Sequence, residues 1–192
     1  MLRKIYNGTL ALAGHRHAMA WLVLVSFIES SIFPIPPDVI LIPMILAMRS
    51  RAFRYATACT VASVLGGLAG YAIGYFLFET MGQSIIAFYH LENTFTTVRE
   101  AFLQHGAAIV LTAAFTPIPY KLFTITAGVV QLDPLVFTTA SVVGRGGRFF
   151  LVAGLLWYFG PPIRVFIERR LGLVTLGIGA LAVAGFLILE MF

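Results

Sequence analysis

Charge and cysteine are scarce in this 192-residue chain. Charged residues make up 11% of it, against about 25% in soluble domains, while 59% of its residues are hydrophobic and the mean hydropathy is +0.93. This composition excludes an ordinary soluble domain and predicts an integral membrane protein. Cys59 is the single cysteine, which excludes an intrachain disulfide and a metal cluster built from cysteines.

Sequence motifs of enzymes are lacking as well. There is no HExxH, no GxSxG, no pair of acids in DxxD spacing and no Ser–Lys pair at helical spacing. Of the four histidines, His90 and His105 have no Cys or second His at a spacing that binds metal. We therefore expect no catalytic residue, no metal ion and no cofactor, and a membrane enzyme is the least favoured class.

A Pro-Ile-Pro phrase interrupts two apolar stretches, once within 33–38 and once within 115–121. Proline lacks a backbone N–H and blocks a helix interior, and it also pushes the preceding residue out of helical geometry. Each phrase is therefore predicted to form the tip of a helical hairpin. The predicted tip residues are Pro34, Pro36, Pro37, Pro117 and Pro119.

Loop charge decides between a hairpin and a single kinked span for residues 18–48. A span needs about 20 residues, so this stretch is too long for one span and each of its arms is too short. Cations precede it at 3, 4 and 16 and follow it at 49, 51 and 54. Positive residues mark the cytoplasmic side, so both ends are predicted to lie there, with the hairpin re-entrant and the N-terminus cytoplasmic.

The whole chain, 1–192, is predicted to be one membrane domain of all-α fold. Each unit of hairpin plus span crosses once, so the second unit is inverted relative to the first, as in many secondary transporters. Asp133-Pro134 is predicted to start the second span. The segments are an interfacial helix at 1–17, re-entrant hairpin 1 at 18–48, a transmembrane helix at 55–78, an extracytoplasmic amphipathic segment at 79–105, re-entrant hairpin 2 at 106–132, and transmembrane helices at 134–159 and 171–191.

Small residues recur every fourth position from Ala58 to Gly74 in the first span. Such a stripe lets another helix approach closely. The pattern leaves open whether that helix belongs to the same chain or to a second copy that binds through Gly66, Gly70 and Gly74.

Five charged side chains are predicted to lie near the bilayer midplane, namely Glu29, Asp38, Lys121, Arg145 and Arg148. Arg145 is ten residues after Leu135, which is about 15 Å along a helix and half of a hydrocarbon core of about 30 Å. Charges at this depth are costly and face a partner or a water-filled cavity. Three bases and two acids leave a surplus of one positive charge, which suits an anion.

A phosphate-bearing ligand is the natural anion, because arginine can hold a phosphate with two parallel hydrogen bonds. The predicted headgroup-binding residues are Lys121, Arg145, Arg148, Ser30, Thr116 and Tyr120. Glu29 and Asp38 are predicted either to bind protons or to form ion pairs. In the alternative interpretation, these two acids only neutralise Lys121 and Arg145 and hold the hairpins together.

The residues around the two tips resemble the DedA family, also called the SNARE-associated or VTT-domain family, over roughly 18–160, and most closely its YqaA-like branch. The resemblance rests on Glu29 followed by the phrase at 33–38, on the phrase at 115–121 that leads to Ala127-Gly128, and on the Gly-Arg-Gly-Gly-Arg run at 144–148. In the family, one acid precedes the first tip and another follows it, and Glu29 and Asp38 match these positions.

The second hairpin departs from the commoner family pattern, Arg-x-x-Pro-x-x-Arg. Thr116 stands at the first arginine position and Leu122 at the second, with Lys121 beside it. We infer that Arg145 and Arg148 supply the missing charge.

The resemblance implies opposed re-entrant hairpins and lipid translocation in a bacterial inner membrane. The predicted function is a flippase- or scramblase-like transporter that moves a phosphate-bearing lipid, such as undecaprenyl phosphate or a phospholipid, past the charged midplane site. Protons are possible second partners, and no nucleic acid is expected. Two alternatives stay open, a proton-coupled transporter of a small ion or solute and a membrane assembly factor that transports nothing.

Overall fold

The computed structural model describes residues 17–31, 36–82, 86, 88, 92–116 and 119–160. The predicted N-terminal helix at 1–17, except His17, and the predicted span at 171–191 lie outside these residues, as do Pro34 and Pro117. All regular elements in the described part of the chain are helical, so the all-α prediction is confirmed there.

Six helices follow one another along the described residues. Two segments are long and apolar enough to cross a membrane, Arg49–Thr80 and Pro134–Gly160. A 3-10 turn, Arg49–Arg51, leads into the first long helix, and a π-helical segment, Phe78–Gly82, follows it. The helices are α1 Ala18–Ser31, α2 Asp38–Ala47, α3 Ala52–Leu77, α4 Glu92–Phe115, α5 Tyr120–Val129 and α6 Pro134–Gly160.

Prolines set where α2 and α5 begin. Pro37, with φ −65° and ψ −19°, immediately precedes α2, and its carbonyl accepts the backbone N–H of Leu41 at 2.8 Å. Pro119, with φ −59° and ψ 97°, immediately precedes α5. The fixed φ of proline suits a first helical turn, where its missing N–H costs nothing.

Asp133 and Pro134 start α6. The Oδ1 atom of Asp133 accepts the backbone N–H groups of Leu135 at 2.7 Å and Val136 at 3.1 Å. This is an N-cap followed by proline at the first helical position, as the sequence predicts.

The helix α1 runs parallel to α3. Ser26 donates to the sulfur of Cys59 at 3.3 Å, and the hydroxyls of Ser30 and Ser63 lie 2.6 Å apart. The two residues of each pair are 33 positions apart in sequence. Because this separation is constant, α1 and α3 run in the same direction.

The glycine stripe of α3 is filled within the chain. A Cβ atom on Gly66 would overlap the carbonyl oxygen of Phe27 in α1, and one on Gly74 would overlap the carbonyl oxygen of Ile125 in α5. Backbones approach this closely only where one of them has no side chain. Of the two partners left open for the stripe, the structure therefore supplies one from the same chain.

Two apolar clusters lie on either side of the middle of α6. The first contains Phe149 and Ala153 of α6 with buried residues of α1, α2 and α3. The second contains Phe137 and Ala140 of α6 with buried residues of α4 and α5. Arg145 is located between these clusters along α6.

Segment 92–105 turns its apolar side toward the second cluster. Phe102 is buried there, and Phe95 and Val98 pack against it. The helix α4 has a non-helical residue inside it, His105, with φ −128° and ψ 16°. This kink separates the segment from the arm 106–115.

Arg49 ties the start of α3 to the far end of α6. Its Nη2 atom donates to the carbonyl oxygens of Trp157 and, at 3.3 Å, Tyr158. These carbonyls lack ordinary helical donors, because residues 161 and 162 are prolines without N–H groups. The guanidinium of Arg49 supplies the N–H donors that the two prolines lack.

Candidate functional site

Arg145 is the largest fully buried side chain among the described residues, with 1% of it exposed. Its Nη2 atom forms a salt bridge with Oε2 of Glu29, whose side chain is 14% exposed. Its Nε atom donates to the hydroxyl of Ser63, and Nη2 lies 3.3 Å from the hydroxyl of Ser30. The guanidinium therefore contacts α1 and α3 at once.

Two aromatic rings flank the Arg145 guanidinium. Its Cζ atom lies 4.9 Å from the ring centroid of Tyr120 and 5.0 Å from that of Phe149. Both distances are within the range of cation–π attraction. The Tyr120 ring is held by its hydroxyl, which donates to Ser141, and Ser141 donates to the carbonyl of Phe137 at 2.6 Å.

A chain of hydroxyl groups completes the surroundings of Glu29. Ser30 donates to Glu29 at 3.1 Å and shares a hydrogen bond with Ser63 at 2.6 Å. The hydroxyl of Thr124 in α5 donates to the carbonyl of Lys121 at 2.9 Å and lies 3.3 Å from the carbonyl oxygen of Ser30. A buried ion pair is tolerated when its polar groups are satisfied in this way.

Arg148, one turn further along α6, forms the second ion pair. Its Nη2 atom forms a salt bridge with Oδ2 of Asp38, and its Nη1 atom donates to the carbonyl of Thr116 at 3.1 Å. The two charged side chains are 20% and 19% exposed. Asp38 lies in the first turn of α2, where the helix dipole favours a negative charge.

The two pairs differ in how fully they are satisfied. Arg145 has several partners and almost no exposure, whereas Arg148 is partly exposed. The Oδ1 atom of Asp38 is buried and has no hydrogen-bond partner among the described residues. Only the second pair therefore offers a surface-accessible cation and an unsatisfied acceptor.

The remaining predicted residues lie around these pairs. Lys121 is partly exposed in the first turn of α5. The Thr116 hydroxyl donates to the backbone carbonyl of Thr112 at 2.8 Å. Thr116 contacts Arg148 through its own backbone carbonyl instead. At the tips, Pro36 and Pro119 are exposed and Pro37 is buried.

The structural alternative considered for the sequence matched the two acids with Lys121 and Arg145, and the structure agrees for Arg145 but pairs Asp38 with Arg148. Glu29 pairs with Arg145 and Asp38 with Arg148. The acid before the first tip and the acid after it thus meet cations one helical turn apart.

Sequence reasoning missed Ser63, Ser141 and Phe149. Ser63 is a polar residue one turn before the glycines of the α3 stripe, which is a signal that could have placed it at the interface. Ser141 and Phe149 each stand four residues from Arg145, and residues at that spacing share a helix face. In the described part of the chain, no group of three His, Cys, Asp or Glu side chains could hold a metal ion.

Residues 35–158 match the model of the VTT domain. The chain belongs to the VTT-domain (DedA) family. Asp38, Arg145 and Arg148 lie within the matched residues and Glu29 lies just before them. Proteins of this family are associated with membranes, in agreement with the apolar helices.

Two full-length relatives support this membership. A protein of Haemophilus influenzae and one of Histophilus somni, both described as uncharacterized, are each 37% identical over 186 residues. The alignments cover 97% of this chain and 96% and 97% of the relatives. No solved structure matches the chain.

Proposed function

We propose that the protein is a transporter, and not an enzyme, that moves a phosphate-bearing lipid across the bacterial cytoplasmic membrane. The proposal that it is a membrane transporter is supported by its family, whose members are generally membrane transporter-like. The lipid could be undecaprenyl phosphate or a phospholipid, and the protein would act as a flippase or scramblase. We also assign the chain to the YqaA-like branch, with its N-terminus in the cytoplasm.

The difference between the two ion pairs is the observation that carries this proposal. Arg145 is enclosed by Glu29, two serines and two aromatic rings, so we assign it the role of fixing α1, α3 and α6 together. Arg148 is partly exposed and pairs with a carboxylate whose Oδ1 atom has no hydrogen-bond partner among the described residues. A phosphate can replace Asp38 on Arg148, because phosphate and carboxylate fit the same guanidinium geometry.

Helix packing supports the repeat of hairpin plus long helix within this proposal, and the contact of Arg49, at the start of α3, with the far end of α6 supports its inversion. A short arm packs parallel to the following long helix in each half. In the first half Ser30 meets Ser63, and in the second a Cβ on Gly144 would contact the backbone of Leu111, while Arg148 donates to Thr116. The sequence separations are 33, 33 and 32 residues.

The test is a lipid flip assay in proteoliposomes that contain one labelled lipid at a time. We expect Arg148→Gln to lower the flip rate by about 10-fold or more, because charge-assisted hydrogen bonds contribute about 1.5–3 kcal/mol. Arg99→Gln, an exposed cation on α4, is the matched control. Equal flip rates for wild type, Arg148→Gln and empty vesicles would contradict the proposal.

A second candidate function is proton-coupled transport of a small ion or solute. The partly exposed ion pair favours it, since a proton on the Asp38 carboxylate would remove the negative charge that holds Arg148. If the protein flips no lipid in proteoliposomes, a pH gradient imposed on the same vesicles tests the second function. Ion flux that depends on the gradient and is lost in Asp38→Asn supports this second function.

A further inference from the structure

A groove between α1 and α3 opens on the outside of the described structure. Its volume is about 470 Å³, within the range of small-molecule sites, roughly 300–1,000 Å³. Apart from Arg54 and Thr57, its lining is apolar. The apolar lining residues are Met19, Val23, Ala58, Val61, Ala62 and Leu65.

The groove lies on the opposite side of α3 from the ion pairs. Val61 and Leu65 are each two residues from Ser63, which contacts Arg145, and two residues correspond to roughly 200° around an α-helix. Their side chains are 54% and 52% exposed in the described structure. The groove is therefore separate from the candidate transport site.

Arg54 is the only charged side chain that lines the groove in the described part of the chain. The hydroxyl of Thr57 donates to the carbonyl of Phe53 at 2.9 Å, which leaves the guanidinium as the main polar group for a ligand. From Arg54 to Leu65 the helix rises about 16 Å. Half of a hydrocarbon core is about 15 Å, so the groove from Arg54 to Leu65 is about as long as the hydrocarbon of one lipid leaflet.

We propose that this groove is a lipid-binding site for an anionic glycerophospholipid, with one acyl chain along Val23, Val61 and Leu65 and the phosphate on Arg54. A guanidinium binds phosphate with paired hydrogen bonds. The site holds a resident lipid, and the proposal does not depend on the transport function.

Charge favours a lipid over the parts of this chain that lie outside the described residues. Residues 1–16 carry Arg3, Lys4 and Arg16, and the predicted span at 171–191 directly follows Arg169 and Arg170. Either segment would bring further positive charge toward Arg54, and like charges repel. An anionic headgroup brings the opposite charge.

Lipid retention by the full-length protein tests the proposal. The protein is reconstituted in vesicles of equal phosphatidylglycerol and phosphatidylcholine, released in mild detergent, and its bound lipids are counted by native mass spectrometry. We expect one retained lipid per chain, with about fivefold preference for phosphatidylglycerol, since one arginine near an anionic surface contributes about 1 kcal/mol.

Three variants separate the parts of the site. Arg54→Gln should abolish the preference, and Val61→Trp, which fills the groove, should reduce retention of both lipids. Arg51→Gln removes an exposed cation outside the groove lining and should change neither. If Val61→Trp does not fold, Ala58→Leu fills the groove with a smaller side chain.

Two results would overturn the proposal. One is equal retention and equal preference in wild type, Arg54→Gln and the folded groove-filling variant. The other is efficient disulfide formation, in a Cys59→Ser background, between Val61→Cys and either Leu10→Cys or Leu181→Cys. That result would place a segment of the chain itself in the groove.

Discussion

Arg145 of α6 and Glu29 of α1 form a buried ion pair, and Arg148, one turn away, pairs with Asp38 of α2. The two arginines thus hold the helices on both sides of the first proline tip. Four charged groups form two neutral pairs, so the local charge is balanced before any ligand arrives. A phosphate that enters has to displace a carboxylate, and the more exposed pair is the one where this costs less.

Removing one partner of the inner pair should destabilise the protein strongly. We expect Glu29→Gln to cost about 3–5 kcal/mol, because it leaves Arg145 as an uncompensated buried charge. Asp38→Asn should cost clearly less, since Arg148 is partly exposed. Chemical unfolding in detergent measures both.

A double variant provides the control for the inner pair. Glu29→Gln combined with Arg145→Met removes both charges, and we expect it to recover part of the stability lost in Glu29→Gln, since a buried pair replaced by apolar groups is often close to neutral. A double variant as unstable as the sum of the single variants would contradict this coupling.

The positions along each helix could be predicted from the sequence, but the partners across helices could not. Proline chemistry placed a break before α2 and another before α5, and counting residues placed Arg145 and Arg148 one turn apart. Spacing along a helix does not reveal which neighbour its face meets. For that reason the contact between the Tyr120 ring and Arg145, and the hydrogen bond between Ser63 and Arg145, could not be predicted from the sequence.

Adding a methyl group to the glycine stripe should separate α3 from its neighbours. We expect Gly66→Ala and Gly74→Ala to cost about 1–3 kcal/mol each, the usual range for overpacking, because the new Cβ would overlap backbone carbonyls that cannot rotate away. Gly154→Ala is the matched control, since none of the described residues lies within 4 Å of its Cβ position. That control should be neutral or stabilising by up to about 1 kcal/mol, and thermal unfolding compares the three.

Gln131 offers a stabilising substitution. It has φ 57°, a left-handed conformation, and the backbone N–H of the next residue, Leu132, donates to the carbonyl of Ala127 at 2.9 Å, which closes α5. Glycine favours this position at a helix end, so Gln131→Gly should stabilise the protein by about 1 kcal/mol. Gln131→Ala keeps the conformational cost and should give no gain in the midpoint of thermal unfolding.

Arg49 should be more important for stability than its neighbour Arg51, although both belong to the same short turn. Arg49 donates hydrogen bonds to the Trp157 and Tyr158 carbonyls. Without Arg49 these carbonyls lose those donors, and the prolines at 161 and 162 have no N–H to take their place. We expect Arg49→Gln to cost about 1.5–3 kcal/mol, the range for hydrogen bonds from charged groups. Arg51 is exposed, and Arg51→Gln should change the free energy of unfolding by less than about 0.5 kcal/mol. Equal effects of the two substitutions would show that Arg49 acts only through its charge and not through the end of α6.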